Sequence, residues 1–250
     1  MKILLFGCNG RVGRVLTRII NETDDLETVC GVDRNPNAFE NSYPVYASIK
    51  DVKEKADVVI DFSNHSCLND LLEFGHKTKT PLVICTTGFS DEQKEEMLKA
   101  SKEFAILHSG NMSVGINLLL SLVKKAASTL YPEFDIEVIE KHHNQKLDAP
   151  SGTALMIADA MKDELEDNIN YVHGRHTKTE KRTKNEIGIH AVRSGGIFGE
   201  HTALFASNNE IVEIKHTALT RDVFADGAIK AARFLSTKTS GYYTMSDVIG

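Results

Sequence analysis

The chain has 250 residues, 41% of them hydrophobic, and a formal net charge of -6. That composition supports a packed core and excludes a disordered chain, and the length admits one large domain or two of modest size. The acidic balance argues against nucleic acid as a partner; the only basic run, residues 178–184, reads as a solvated loop.

Residues 2–6 are a short apolar run that stops at Gly7, which predicts a buried strand. Val12, Val15, Leu16, Ile19 and Ile20 then recur at helical spacing. Residues 28–32 predict a second strand ending at Asp33, residues 58–60 a third closing with Asp61-Phe62-Ser63, and residues 81–85 a fourth closing with Thr86-Thr87-Gly88. Residues 91–102 predict a charged helix, and residues 104–107 another strand. Alternating strands and helices predict an α/β fold with a Rossmann-type, doubly wound parallel sheet.

The pattern changes after Asn111. Residues 113–130 predict a long apolar helix, either buried or at a subunit contact, and residues 135–140 alternate like a half-exposed strand. Pro150 and Ser151 open a helix carrying Leu155, Ala158, Met161 and Leu165, and residues 167–186 read as a polar loop. Residues 187–193, 201–206 and 211–216 predict consecutive strands, and residues 222–235 a final helix. This second part is expected to be an α+β domain, its mixed or antiparallel sheet covered by helices on one face. The expected division is residues 1–111 with 222–250 as a dinucleotide-binding domain, and residues 112–221 as a substrate-binding and oligomerisation domain.

The first apolar run is shorter than the ~7–15 residues of a signal peptide, and no stretch approaches the ~20 apolar residues of a membrane span. Cys8, Cys30, Cys67 and Cys85 contain no CxxC pair. Free thiols in a reducing cytoplasm are therefore expected, with neither a disulfide framework nor a metal site.

Gly7-Cys8-Asn9-Gly10-Arg11-Val12-Gly13 lies at the junction of the first strand and first helix. Such a turn brings the backbone close to a pyrophosphate at the positive end of the helix. Asp33 follows Gly13 by 20 residues, at the tip of the second strand, where a carboxylate accepts hydrogen bonds from the adenosine ribose. The neighbouring Arg34 is suited to a 2′-phosphate. The pair predicts use of NADH and NADPH alike, the alternative for Arg34 being a plain surface residue. Cys85, Thr86 and Thr87, with Ser109, Gly110, Asn111 and Met112, stand at further strand ends, where ligands of open α/β sheets lie.

Residues 140–154 run Glu-Lys-His-His-Asn-Gln-Lys-Leu-Asp-Ala-Pro-Ser-Gly-Thr-Ala. Two histidines and a lysine at a strand exit lead into a helix start at Ser151-Gly152-Thr153. A cation and the positive end of a helix form a carboxylate receptor, and histidine is a proton donor near neutral pH. Adjacent strand residues face opposite sides, so His142 and His143 need not share a task.

This segment resembles the signature of the dihydrodipicolinate reductase family, also called 4-hydroxy-tetrahydrodipicolinate reductase. The resemblance continues through residues 109–115, 192–196, 199–202, 216–221 and 224–228, and so spans nearly the whole chain. It implies that His142 is the general acid and Lys146 a cationic catalytic residue. It further implies that His143, Gly152 and Thr153 bind substrate carboxylates, and that Gly7 to Val12, Asp33, Arg34, Cys85 to Thr87 and Ser109 to Met112 line NADH or NADPH. The implied substrate is a cyclic dicarboxylate of diaminopimelate and lysine biosynthesis, and the implied assembly a homotetramer. Departures are Cys8 and Asn9 where small residues are common, Asp33 where many members have glutamate, and His176 in place of a glycine. Two rivals are another amino-acid dehydrogenase, which lacks the His-His-Lys to Ser-Gly-Thr connection, and a catalytically silent dinucleotide sensor.

Overall fold

A computed structural model describes residues 1–166 and 168–250. The chain forms two compact units, Met1–Val114 with Arg221–Gly250, and Gly115–Thr220.

In the first unit, β1 (Lys2–Phe6), β2 (Glu27–Val32), β3 (Val45–Tyr46), β4 (Val58–Asp61), β5 (Leu82–Ile84), β6 (Ala105–His108) and β12 (Gly241–Tyr243) form one parallel sheet in the order β12-β6-β5-β4-β1-β2-β3. Its central strands are continuous apolar runs because both faces are covered. Ile3, Leu5, Val58, Ile60 and Val83 pack on one side with Leu16 and Ile20 of α1 (Arg11–Asn21) and with Ala225, Ala228 and Ala232 of α6 (Asp222–Leu235). Leu4, Phe6, Val59, Leu82 and Ile84 pack on the other with Leu68, Leu71 and Leu72 of α2 (Leu68–Thr78) and Met97 of α3 (Asp91–Ala100). This is the predicted doubly wound architecture. Gly227 sets the seating of α6: a Cβ there would lie 1.7 Å from the Met112 carbonyl oxygen.

In the second unit, β7 (Asp135–His142), β8 (Asn170–His173), β9 (Glu186–Arg193), β10 (Gly199–Ala206) and β11 (Ile211–Ala218) form a mixed sheet in the order β11-β10-β7-β9-β8. One face carries Ile136, Val138, Ile187, Ile189, Ala203 and Phe205. It is covered by Leu119, Val123 and Ala127 of α4 (Val114–Leu130) and by Ala154, Ile157, Ala158 and Met161 of α5 (Gly152–Lys162).

Two expectations are corrected. The segment predicted as a polar loop contains β8; its residues Asn-Tyr-Val-His are half exposed, as on an edge strand, and pairing with β9 rather than an apolar run makes it a strand. Asp167, the first residue of that predicted loop, lies outside the described residues. The helix at 222–235 is not the last one: α7 (Met245–Ile249) follows, held by a capping box between Thr244 and Asp247 and by the buried Met245. Among the described residues, no helix is long and apolar enough to cross a membrane.

Candidate active site

The glycine turn joins β1 to α1. Gly7 has φ +83°, and a Cβ there would meet the Phe62 carbonyl oxygen at 2.4 Å. A Cβ on Gly13 would meet the Gly7 carbonyl oxygen at 2.2 Å, so the strand-to-helix crossing is closed to any side chain. Gly10 stands at the N-cap without a side-chain cap, and no acidic residue occupies the first turn of α1. The positive helix end, with Arg11 exposed and Val12 half-buried, is left for an outside anion. By contrast, α3 and α5 each have one N–H taken by a serine cap, Gln93 by Ser90 and Ala154 by Ser151.

Asp33 lies beside this turn. Its carboxylate accepts the Asn9 N–H at 3.1 Å and the Asn35 N–H at 2.9 Å, one on each oxygen. Each oxygen keeps a lone pair for a ribose hydroxyl. The Asn9 side chain donates to the Asn35 carbonyl at 2.7 Å and accepts from Asn41 at 3.0 Å, tying the segment after β2 to the turn. Arg34 is exposed and has no ion pair among the described residues. Cys8 contributes backbone only: its thiol is buried against Gly31 and Tyr43, and burial pushes its pKa up to about 11. Together, the uncapped helix end, the closed glycine crossing and the carboxylate at the β2 tip fit a dinucleotide.

At the other strand tips, Thr87 and Gly110 are exposed, whereas Cys85, Thr86, Ser109, Asn111 and Met112 are buried. The Cys85 thiol turns inward, 3.8 Å from the Val83 carbonyl, and Met112 packs in the core. The Ser109 hydroxyl donates to the Asn111 carbonyl at 2.8 Å, and the Asn111 side chain accepts the Ser113 N–H at 2.9 Å. These bonds shape the chain just before α4.

Asp61 is not flagged by the sequence beyond ending a strand. It is buried at the tip of β4, accepts the Ser63 N–H at 3.0 Å and bonds the Thr86 hydroxyl. Among the described residues no cation offsets its desolvation, and its pKa is pushed up to about 6. A carboxyl raised in the folded state stabilises below its unfolded pKa, and that stabilisation is lost as pH rises towards 6. The expected loss is on the order of 3 kcal/mol. Asp61→Asn should therefore flatten the fall in Tm between acidic and neutral pH; identical pH profiles for variant and parent would contradict this.

In the second unit, His142 ends β7 on the same face as Glu140, two residues before it. His142 Nδ1 lies 2.6 Å from Glu140 Oε2. Glu140 is fully buried, and Arg193 of β9 donates to both its oxygens, at 2.8 and 2.7 Å. The Ser151 N–H adds a fourth bond at 3.0 Å. His201 of β10 stacks edge-on against His142, its ring centre 5.1 Å away, and its Nε2 is 2.9 Å from the Ser151 hydroxyl. Burial, with the neighbouring His142 opposing a second charge, lowers the His201 pKa to about 4. Burial also lowers the His142 pKa, while Glu140 counteracts it.

The structure brings His142 and the α5 start together through Glu140, since Ser151 is the N-cap of that helix. A Cβ on Gly152 would meet nothing within 4 Å, so the α5 start has room beside Gly152. His143 lies just past β7, half-buried, its carbonyl accepting the Lys146 N–H at 3.1 Å. The Lys146 ammonium pairs with Asp148 at 2.8 Å, a partner the sequence does not assign. Glu140, Arg193 and His201 also escape the sequence reading. For Glu140 a signal existed, the spacing of two from His142 on a strand; Arg193 and His201 lie in segments that carry the family resemblance, but separate strands supply them, so their place beside Glu140 is not legible.

A doubly wound sheet with an open glycine turn, accompanied by a mixed-sheet unit with a buried His–Glu pair, defines an oxidoreductase of the dinucleotide-dependent class. Residues 1–112 match the family model described as dihydrodipicolinate reductase, N-terminus, and residues 115–249 the model of its C-terminus. The chain belongs to the dihydrodipicolinate reductase family. It is 52% identical over 249 residues to the 4-hydroxy-tetrahydrodipicolinate reductase of Caldanaerobacter subterraneus subsp. tengcongensis, covering 100% of this chain and 98% of that one. It is 48% identical over 245 residues to the enzyme of the same name from Clostridium tetani, covering 98% and 95%. The structure of a dipicolinate-bound dihydrodipicolinate reductase from Paenisporosarcina sp. TG-14 has the same fold, with a TM-score of 0.81 at 24% identity and 97% of both chains covered.

Proposed function

We propose that the protein reduces 4-hydroxy-tetrahydrodipicolinate to tetrahydrodipicolinate with loss of water, in diaminopimelate and lysine biosynthesis. One NAD(P)H and one proton are consumed, and NAD(P)+ and water are released. The carrying observation is the buried Glu140–His142 pair linked through Ser151 to the start of α5. A carboxylate receptor and a proton donor suit a cyclic dicarboxylate that must gain hydride and proton. Neither rival requires that connection: a silent sensor needs the glycine turn alone, and another amino-acid dehydrogenase shares the nucleotide fold without the His-His-Lys to Ser-Gly-Thr run.

The nucleotide supplies the hydride when bound. The residues for it are Gly7, Gly10 and the α1 start for the pyrophosphate, Asp33 for the ribose, and Cys85 to Thr87 with Ser109 to Met112 at the remaining strand tips. In the second unit, Lys146 and the positive end of α5 at Gly152–Thr153, with His143, take the substrate carboxylates. His142 donates the proton. Coupled assay with a dihydrodipicolinate synthase, following NADH oxidation, tests this reading; no oxidation in the presence of the synthase product refutes it.

Both NADH and NADPH serve in this proposal. Asp33 offers acceptors to a 2′-hydroxyl, and the exposed Arg34 has no competing ion pair among the described residues. Arg34→Ala should reduce kcat/KM and binding affinity for NADPH more than for NADH, because only NADPH carries the 2′-phosphate. Equal losses would remove this role. We further place the protein in the cytoplasm, where its four free cysteines stay reduced, and assign it a homotetrameric state through the second unit, which a sedimentation measurement checks.

A further inference from the structure

The acid role of His142 leaves a question of chemistry open, namely which ring nitrogen works and what decides it. The Glu140 carboxylate answers through its hydrogen-bond count. An ionised carboxylate has about four lone-pair sites and no donor. All four are taken by N–H groups: Ser151 N–H and Arg193 Nη2 on Oε1, Arg193 Nη1 and His142 Nδ1 on Oε2. Facing an acceptor at 2.6 Å, Nδ1 must carry its proton even when the imidazole is neutral. The nitrogen left to exchange a proton is Nε2. Space beside it is kept by Gly199, where a Cβ would lie 3.1 Å from Nε2.

The same carboxylate reaches the substrate end. Oε1 holds the main chain of Ser151, whose hydroxyl in turn accepts the Ala154 N–H and caps α5. Donor and carboxylate receptor are thus anchored to one buried group.

We propose that Glu140, clamped by Arg193 and the Ser151 N–H, is a positioning residue that holds His142 in its Nδ1–H form, aims Nε2 at the substrate and registers it against the start of α5. This rests on the acid role of His142 given above. The charged and titratable groups facing His142 are Glu140 on its own strand, Arg193 on β9, His201 on β10 and Lys146 on the following loop. Glu140 alone among them favours the imidazolium. Its loss therefore moves His142 protonation to lower pH.

Long-range nitrogen–proton NMR on the wild-type protein, above neutral pH, should place the His142 proton on Nδ1; an Nε2–H tautomer overturns the proposal. Glu140→Gln should lower kcat by about 10–10³-fold, less than loss of the acid itself. It should shift the limb of the kcat/KM profile that reports protonated His142 to lower pH, and leave nucleotide affinity unchanged. A limb that stays in place with kcat intact overturns the proposal. Should Glu140→Gln not fold, Arg193→Lys keeps the cation but breaks the fork; it should lower kcat by less than Glu140→Gln does with nucleotide affinity unchanged, and a wild-type kcat there counts against the clamp. Failure of the acid reading looks different: His142→Ala would then retain wild-type kcat whatever the tautomer.

Discussion

Replacing His142 by alanine is expected to lower kcat by about 10²–10⁴-fold, the range a positioned acid contributes. Nucleotide binding should be retained, since the glycine turn and Asp33 that are assigned to it belong to the first unit. The fold should also survive. Glu140 keeps three of its four donors, two from Arg193 and one from Ser151, so no naked buried carboxylate is created. The measurement uses saturating substrate, so that chemistry rather than binding is read. A variant with wild-type kcat would assign His142 to structure.

Lys146→Ala should lower kcat/KM by about 10²-fold, the cost of one charge-assisted bond to a substrate carboxylate. Its effect on stability should be small. The Lys146–Asp148 pair is solvent-facing, with Asp148 at 59% exposure, and pairs of that kind contribute at most about 1 kcal/mol. Lys146→Gln offers hydrogen bonds without charge and should not restore activity. In a crystal with pyridine-2,6-dicarboxylate, one carboxylate should lie at Gly152–Thr153 with the Lys146 ammonium turned to it. The analogue bound elsewhere, with Lys146 still on Asp148, would refute the assignment. Normal thermal unfolding of the variant separates loss of binding from loss of fold.

The first unit was legible in the sequence because buried parallel strands are near-continuous apolar runs. Lys2–Phe6, Val58–Asp61 and Ala105–His108 carry that signal within themselves. Asn170–His173 does not: an edge strand buries too little to require an apolar run, and its partner comes later in the chain. The same distinction divides the site. The glycine turn, Asp33 and the run from His142 to Thr153 are local patterns with a physical meaning at fixed spacing. Cys8, Cys85 and Met112 belong to such patterns, yet their side chains point into the core, which spacing cannot tell.

The sequence by itself determined the doubly wound sheet, the glycine turn with Asp33 beside it, and the segment that unites His142, Lys146 and the start of α5. Each is written within a few tens of residues, where periodicity and turn chemistry act directly on the backbone. Tertiary structure alone decided the environment of those groups. Pairing of β7 with β9 puts Arg193 opposite His142 and so onto Glu140, and pairing of β7 with β10 puts His201 opposite Glu140 and beside His142. Pairing then sets the direction in which each buried carboxyl shifts: Glu140, met by a guanidinium, has its pKa lowered, whereas Asp61, with no cation beside it among the described residues, has its pKa raised. Desolvation and charge pairing depend on distances across strands far apart in sequence, and those distances exist only once the sheets have formed.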